Sequence, residues 1–160
     1  MKFIPHPYQE FCIKQVIQKP AIGLFLDMGL GKTAITLTAV NELKYGRFQV
    51  RRILVIAPKK VAEATWQREA AKWDNLKHLR FSTVLGSTTK RIRALNTPAD
   101  IYVINRENVV WLVDYYRNDW PFDMVVVDEF SSFKSHSAKR FKALAAIRPH
   151  ICRIVGLTGT

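Results

Sequence analysis

Short apolar segments alternate along the chain with longer amphipathic segments. Six of the apolar segments have the length and the β-branched, aliphatic or aromatic composition of buried strands: residues 21–26, 53–57, 81–85, 101–104, 124–127 and 153–157. The amphipathic segments predict helices over residues 8–18, 32–43, 60–73, 89–95 and 138–147. This alternation predicts an α/β domain with a mainly parallel sheet of about six or seven strands and helices on both faces.

The helix predicted over residues 60–73 has a well-defined apolar face. Ala62, Trp66, Ala70 and Trp73 follow one another at the spacing of one side of an α-helix. We expect this face to pack on the sheet.

Size and charge narrow the class of protein. The chain has 160 residues, of which 48% are hydrophobic, and this predicts one domain with a single core. Its 25 Lys and Arg against 13 Asp and Glu leave a net charge of +12, which favours polyanionic partners such as nucleic acid or anionic lipid. The longest apolar runs fall far short of the roughly 20 residues that span a bilayer. No membrane segment is expected, and the first residues lack a secretory signal, which predicts a cytoplasmic location.

The cysteines and histidines do not suggest a metal site. Cys12 and Cys152 lie in apolar stretches at opposite ends of the chain, which predicts buried, reduced side chains rather than a disulfide. The four histidines share no metal-ligand spacing with one another or with a cysteine. A structural metal is therefore not expected.

The strongest local signal is the segment from Leu26 to Thr33, which closes an apolar strand and opens an amphipathic helix. Gly29 and Gly31 allow backbone N–H groups to surround phosphate oxygens, and the start of the following helix is positively polarised. Lys32 can reach the β and γ phosphates of a nucleotide, and the Thr33 hydroxyl can ligate Mg²⁺. The strict pattern has a further glycine where this chain has Leu26. The segment nevertheless predicts a phosphate loop.

A second signal lies about a hundred residues further on, where the strand predicted over residues 124–127 ends in Asp128 and Glu129. Parallel α/β folds bind ligands at the carboxyl edge of the sheet, where Asp128 can hold Mg²⁺, often through water. Glu129 would then orient and deprotonate the attacking water. An apolar run followed by two acids is common, but it becomes specific beside a phosphate loop in the same domain.

With both signals in place, the chain resembles, over nearly all of its length, the first RecA-like lobe of the superfamily two helicase-like ATPases. Within that superfamily it resembles the SWI/SNF-related DNA translocases. It departs from their pattern at Leu26 and Asp27, where the usual pair is Asp-Glu, and at Ser131, where the usual residue is His. The resemblance is carried by residues 7–9, 27–33, 57–58, 66–73, 86, 91, 100–107, 128–134 and 157–160.

The resemblance implies that ATP and Mg²⁺ are the cofactors, and it assigns roles to individual residues. It implies that Lys32, Asp128 and Glu129 carry the chemistry, that Thr33 and Asp128 hold Mg²⁺, and that Gln9 reads the adenine edge. It implies that Thr158, Gly159 and Thr160 couple the nucleotide state to lobe movement. The proline expected after them lies beyond the end of the sequence. The nucleotide-binding residues that it implies are Gln9, Met28, Gly29, Leu30, Gly31, Lys32 and Thr33.

The resemblance also implies that the loop after the second strand contacts the DNA backbone. Lys59 and Lys60 fall in that loop, at the carboxyl end of a strand, and we expect both to touch phosphate. Arg106, in the segment 100–107, is assigned to the same interface. The expected partner is duplex DNA, bound independently of its sequence.

The expected organisation is a single RecA-like lobe over residues 1–160, monomeric and cut from a longer chain of bacterial or phage origin. The full-length protein would supply a second RecA-like lobe with an arginine finger. Loss of such a finger typically costs roughly 10³ to 10⁵ in rate, so little turnover is expected from this lobe alone.

Three other functions stay open at this point. A DEAD-box-like RNA helicase lobe would share both signals, but that class has Ala-Asp after Asp-Glu, where this chain has Phe130 and Ser131. A phosphate-loop kinase acting on a small metabolite would share the loop but leaves the charge of +12 unexplained. A non-catalytic nucleic-acid-binding module would keep the fold without the chemistry.

Overall fold

The computed structural model of the protein describes residues 1–26 and 31–159, apart from the side chain of His136. Its strands form one six-stranded sheet in the order β1-β6-β5-β2-β4-β3, and every neighbouring pair is parallel. The strands are β1 (Ala21–Phe25), β2 (Ile53–Ala57), β3 (Phe81–Val84), β4 (Ile101–Asn105), β5 (Met124–Asp128) and β6 (Arg153–Thr158).

Helices cover both faces of the sheet. In the described part of the chain they are α1 (Pro7–Gln18), α2 (Lys32–Asn41), α3 (Lys59–Lys72), α4 (Thr88–Leu95), α5 (Val109–Tyr116), α6 (Phe130–His136) and α7 (Ala138–Ile147). The first three pack with one face of the sheet into one apolar cluster, and the other four pack with the opposite face into a second cluster. None of the described helices is long and apolar enough to cross a membrane.

The two central strands explain the continuous apolar runs in the sequence. All five residues of β2 and all five of β5 are buried. Ile53 and Val55 face the cluster of α1, α2 and α3, whereas Leu54 and Ile56 face the other cluster. Because both faces of a parallel sheet are covered, such strands show no alternation of polar and apolar residues.

The predicted α/β architecture is confirmed, and the six strands match the predicted segments to within a residue. The apolar face predicted for α3 is confirmed as well, because Ala62, Trp66 and Ala70 are buried and Trp73 packs against the same cluster. Helices α5 and α6 were not predicted. The first is rich in β-branched and aromatic residues, which favour strands, and the second is a seven-residue helix with three serines.

The prediction that both cysteines are buried is wrong. Cys152 is exposed, because it lies in a bend before β6, where its backbone N–H donates to the carbonyl of Asp123 at 2.8 Å. Cys12 is half-buried in α1, and burial raises the pKa of its thiol.

Two aspartates connect neighbouring segments at the amino end of the sheet through hydrogen bonds. Asp123 accepts hydrogen bonds from the backbone N–H groups of Arg51 at 2.8 Å and Arg52 at 3.1 Å, just before β2. Asp100, which precedes β4, is fully buried. It accepts from the backbone N–H of Arg80 at 2.8 Å and from the Tyr45 hydroxyl at 2.5 Å, and Lys44 Nζ lies 3.2 Å from its Oδ1 atom.

The partners of Asp100 outweigh the effect of its burial. Burial by itself raises the pKa of this carboxyl, but the hydrogen bonds from the Arg80 backbone, Tyr45 and Lys44 and the charge of Lys44 together lower it. The pKa of Tyr45 is raised in turn, by burial and by the neighbouring Asp100. The ionised Asp100 is therefore the stabilised form, and it joins the segments before β3 and β4 to the helical turn Glu42–Gly46 that follows α2.

We expect Asp100→Asn to lower the free energy of unfolding by about 1–3 kcal/mol at neutral pH, because it removes a buried charged acceptor. The folded-state pKa of Asp100 is lowered, so its contribution is present above the unfolded pKa of about 3.9 and is lost as the pH falls below it. Urea denaturation between pH 7 and pH 3 should show that the gap in unfolding free energy between the unaltered protein and Asp100→Asn shrinks below about pH 4. A gap that stays constant over this range would contradict the role of the charge.

Candidate functional site

The carboxyl ends of β1, β6 and β5 lie side by side at one edge of the sheet. In the sequence, β1 is followed by Gly31 and the start of α2, and β6 is followed by Gly159. Strand β5 ends with Asp128, and Glu129 comes next. An open cleft of about 440 Å³ lies at this edge. Its lining comes from the start of α2, the end of β5 and one side of α3: Gly31, Lys32, Thr33, Val61, Thr65, Glu69, Lys72, Asp128 and Glu129.

One lysine and two carboxylates form the charged centre of this cleft. Lys32 Nζ lies 3.3 Å from Asp128 Oδ1 and 3.5 Å from Glu129 Oε1. The Asp128 side chain is buried, with 3% exposed, whereas that of Glu129 is 46% exposed. The structure therefore brings together the three residues predicted to carry the chemistry, and it gives the two acids different environments.

The Asp128 carboxylate has donors on both oxygens. Its Oδ1 atom accepts from the backbone N–H of Glu129 at 3.0 Å and faces Lys32. Its Oδ2 atom accepts from the indole Nε1–H of Trp66, at 3.2 Å. Trp66 was predicted only as a core residue, and its bond to Asp128 was not foreseen. The spacing of apolar residues in α3 predicts that the indole packs against the sheet, but it does not predict a partner for the indole N–H group.

Glu129 joins β5 to α6 in an unusual backbone conformation. Its φ of 58° and ψ of 48° lie in the left-handed region, which disfavours residues with a Cβ atom by roughly 1–2 kcal/mol. Such strain is concentrated at functional sites, where the surrounding structure holds it in place. The hydrogen bond from Glu129 N–H to Asp128 contributes to holding this turn.

Gly31 and Gln9 meet at the start of α2. Gly31 has a φ of +78°, and its carbonyl accepts the first helical hydrogen bond, from Ile35 N–H at 2.9 Å. Gln9 is buried in α1, where its Oε1 atom accepts from His6 N–H at 2.8 Å. A Cβ atom at Gly31 would lie 2.7 Å from Gln9 Nε2, so the side-chain amide is packed directly against the backbone of Gly31.

A second cleft, of about 420 Å³, lies beside the first. His6, Gln9 and Trp73 are among its lining residues, and it shares Gly31, Glu69 and Lys72 with the charged cleft. The two clefts together extend from Gln9 to Lys32 and Asp128. Four residues of the predicted phosphate loop and the last residue of the chain lie outside the described residues: Asp27, Met28, Gly29, Leu30 and Thr160.

Ser131 stands close to the end of β6. Its hydroxyl lies 3.3 Å from the hydroxyl of Thr158, the last residue of that strand. The contact joins the first turn of α6 to the segment predicted to couple nucleotide state to movement. Gly159 follows directly and is half-buried.

The basic residues predicted to contact nucleic acid lie along the same edge of the sheet. Lys59 and Lys60 are exposed and occupy the first turn of α3 rather than a loop, because the helix begins directly after Pro58. Arg106 follows β4 and is mostly buried, with 15% of its side chain exposed. It donates to the Ser132 hydroxyl at 2.8 Å. Lys59 and Lys60 are thus open to solvent, whereas Arg106 packs between β4 and α6.

The fold and the cleft define the class of protein as an α/β lobe with a charged site at the carboxyl edge of a parallel sheet. Residues 8–160 match the model of the SNF2-related domain family, and the chain belongs to that family.

Protein p41 of Acyrthosiphon pisum secondary endosymbiont phage 1 is 40% identical over 164 residues, which cover 99% of this chain and 36% of p41. Protein QP509L of African swine fever virus, whose name assigns it to the ATP-dependent RNA helicases, is 28% identical over 163 residues. That match covers 96% of this chain and 28% of QP509L. The chain therefore spans about a third of the length of these relatives.

Two solved structures share the fold. The Sulfolobus solfataricus SWI2/SNF2 ATPase core in complex with dsDNA matches with a TM-score of 0.75 and 24% identity, over 100% of this chain and 33% of that one. The Sulfolobus solfataricus SWI2/SNF2 ATPase core domain matches with a TM-score of 0.73 and 26% identity, over 100% of this chain and 32% of that one. The fold of this protein is therefore that of a RecA-like lobe of the SWI2/SNF2 core.

We expect Gly31→Ala to lower the free energy of unfolding by about 1–2 kcal/mol, because alanine is strained at the φ of this residue. Its Cβ atom would also push against the Gln9 amide. Gly23→Ala is the matched control, since a Cβ atom there meets its nearest heavy atom at 3.9 Å. Urea denaturation should place this control within about 0.5 kcal/mol of the unaltered protein. Equal effects of the two substitutions would contradict the packing described for Gly31.

Proposed function

We propose that the chain is the ATP-binding lobe of a DNA-dependent ATPase that couples Mg-ATP hydrolysis to movement along duplex DNA. The observation that carries this proposal is the position of Lys32 between the carboxylates of Asp128 and Glu129, at the start of α2, in a member of the SNF2-related family.

On this proposal Lys32 binds the β and γ phosphates of ATP. Its ammonium group leaves the two carboxylates when the phosphates, which carry more negative charge, enter the cleft. Gly31 and the positively polarised start of α2 add backbone N–H donors for the same oxygens. The pairs with Asp128 and Glu129 hold the lysine in position before the nucleotide arrives.

Thr33 and Asp128 are the proposed Mg²⁺ ligands. Their hydroxyl and carboxylate oxygens are the hard donors that this ion prefers, and both residues line the same cleft. The burial of Asp128 and its donors fit a carboxylate whose orientation is fixed in advance. When bound, Mg²⁺ neutralises charge on the phosphate oxygens.

Glu129 is proposed as the residue that orients and deprotonates the attacking water. Its side chain is far more exposed than that of Asp128, so it is open to a water molecule in the cleft. Its left-handed backbone conformation is held by the turn between β5 and α6. The second lobe of the full-length protein would supply the arginine that completes the site.

Gln9 is proposed to read the adenine edge from the second cleft. Its amide lies against Gly31, so a base beside Gln9 and phosphates beside Lys32 would fit one nucleotide along the two joined clefts. Thr158 and Gly159 are proposed to couple nucleotide state to movement. The contact of Thr158 with Ser131 gives this segment a direct link to the residues after Glu129.

Lys59 and Lys60 are proposed to bind DNA phosphates, supported by their exposure and by the net charge of +12. Arg106 is proposed for the same interface, where it borders α6. The solved relative with dsDNA supports DNA as the partner. The name of QP509L supports RNA as a second candidate, so both nucleic acids belong in the binding test.

We expect Mg-ATP at a hundred times its dissociation constant to stabilise the protein by about 2.7 kcal/mol and to raise the melting temperature by roughly 5–10 °C. Lys32→Ala should abolish most of this shift, because it removes the charge that meets the phosphates. Glu129→Gln should keep the shift but abolish DNA-stimulated hydrolysis in the full-length protein. Calorimetric titration on this chain and kinetics on the full-length protein separate the two roles.

An absence of any shift in the folded, unaltered protein would overturn the nucleotide site. Loss of binding in Glu129→Gln, or full turnover in that variant, would overturn only the role of Glu129.

We expect duplex DNA to bind independently of sequence and with steep salt dependence, because phosphate contacts release counterions. Replacing both Lys59 and Lys60 by Ala should reduce the slope of log affinity against log salt by about 1 for each lysine. The matched control replaces Lys139 and Lys142, which are exposed on α7 and carry the same charge. Fluorescence anisotropy with duplex DNA and duplex RNA measures both slopes. An equal reduction in the two double variants would mean that net charge alone accounts for binding.

A further inference from the structure

Helix α3, which forms one side of the cleft, also contains a buried residue to which the family resemblance assigns no role. Trp66 is fully buried, and its indole N–H donates to Asp128 Oδ2 at 3.2 Å across a separation of 62 residues in sequence. We propose that Trp66 is a positioning residue for Asp128: it fixes the plane of this carboxylate so that the other oxygen, Oδ1, faces the cleft. The proposal rests on the proposed function, since it concerns the carboxylate assigned to Mg²⁺.

The geometry of the carboxylate shows why such a donor matters. The terminal torsion of an aspartate is broad, so packing alone does not fix the carboxylate plane. Oδ1 has two neighbours, Lys32 Nζ and the N–H of Glu129, whereas Trp66 is the donor found for Oδ2 among the described residues. Once Lys32 turns to the phosphates, the N–H groups of Glu129 and Trp66 are left to hold the carboxylate. They hold it by different oxygens, which prevents rotation.

The surroundings of Trp66 favour a fixed indole. Its neighbours one turn away on α3, Ala62 and Ala70, are small and buried, which allows the helix to lie close to the sheet. A leucine or a phenylalanine at this position would satisfy the apolar pattern equally well. What tryptophan adds is a hydrogen-bond donor at the far end of a rigid apolar ring, and a buried indole N–H normally has a partner.

The other tryptophans show that this contact is not a general property of the chain. The indole of Trp73 donates to Glu69 Oε1 at 3.1 Å, at the half-buried end of α3. Trp120 is buried in the opposite apolar cluster, and its indole N–H has no hydrogen-bond partner among the described residues. Trp120→Phe therefore makes the same chemical change as Trp66→Phe, in a buried site on the other face of the sheet.

The first test measures the Mg²⁺ dependence of binding of a fluorescent ATP analogue. Changes to residues that orient metal ligands typically cost 10- to 100-fold in metal affinity. Trp66→Phe should therefore need about 10 to 100 times more Mg²⁺ for half-maximal enhancement of binding, with unchanged affinity for the analogue in EDTA. Trp120→Phe should match the unaltered protein in both measurements. A merely structural role for Trp66 would weaken binding in EDTA as well.

The second test does not depend on how well Trp66→Phe folds. The chain has four tryptophans, so a proton–nitrogen-15 correlation spectrum should contain four indole N–H signals. Asp128→Asn replaces the charged acceptor by a weaker neutral one, so the Trp66 signal should move upfield in the proton dimension. The Trp120 signal should stay in place.

The outcomes separate the two proposals. If the unaltered protein binds no nucleotide with or without Mg²⁺, the proposed function is overturned, and the role of Trp66 with it. If the unaltered protein binds Mg-nucleotide and folded Trp66→Phe has the same Mg²⁺ dependence, only the role of Trp66 is overturned. An unmoved Trp66 signal in Asp128→Asn also overturns it, whereas a shift of that signal together with a raised Mg²⁺ requirement supports it.

Discussion

The charged site depends on one buried carboxylate. Asp128 is almost completely buried, and its side-chain oxygens contact groups from α2, α3 and the turn into α6. A buried charge is costly unless it is paired and hydrogen-bonded, so each of these groups must be in place when the lobe is folded. The requirement fixes the start of α2 and the depth of α3 against the sheet. It also fixes the sharp turn in which Glu129 takes a left-handed conformation.

The two ends of the sheet are built differently. At the amino end, the carboxylates of Asp100 and Asp123 accept hydrogen bonds from backbone N–H groups, and Asp100 also contacts neighbouring side chains. These bonds connect the segments that lead into the strands. At the carboxyl end, Asp128 and Glu129 share one partner, Lys32, among the ion pairs of the described residues. Pairs of this kind can be exchanged for a ligand. On the proposed function, stabilising contacts and the ligand site thus lie at opposite edges of one sheet.

The sequence predicted which charged residues lie together at the edge of the sheet better than it predicted the contacts that support them. The proximity of Lys32 to the two acids was predicted because Asp128 and Glu129 lie at the end of β5, Lys32 follows β1 in the sequence, and parallel strands end at a common edge. The bond between Trp66 and Asp128 was not foreseen, because hydrophobic periodicity treats tryptophan as an apolar residue and does not reveal contacts over long separations. Helix α5 was missed because its β-branched and aromatic residues favour strands, a preference that packing on the sheet overrides. Cys152 was placed in the core because its neighbours are apolar, although the bend before β6 turns it outwards.

Helix α3 connects two parts of the proposed function. It begins with Lys59 and Lys60 at the solvent-exposed edge of the sheet, and about two turns later it places Trp66 on Asp128. At 1.5 Å per residue, the seven residues from Lys59 to Trp66 span only about 10 Å of continuous helix. The contact of Ser131 with Thr158 is a separate connection, because it leaves the site from the other side of Asp128, through α6 and β6. On the proposed function, the buried carboxylate lies between the helix that begins at the DNA-binding lysines and the segment proposed to couple nucleotide state to movement. One of its oxygens is held from α3 and the other from the turn into α6.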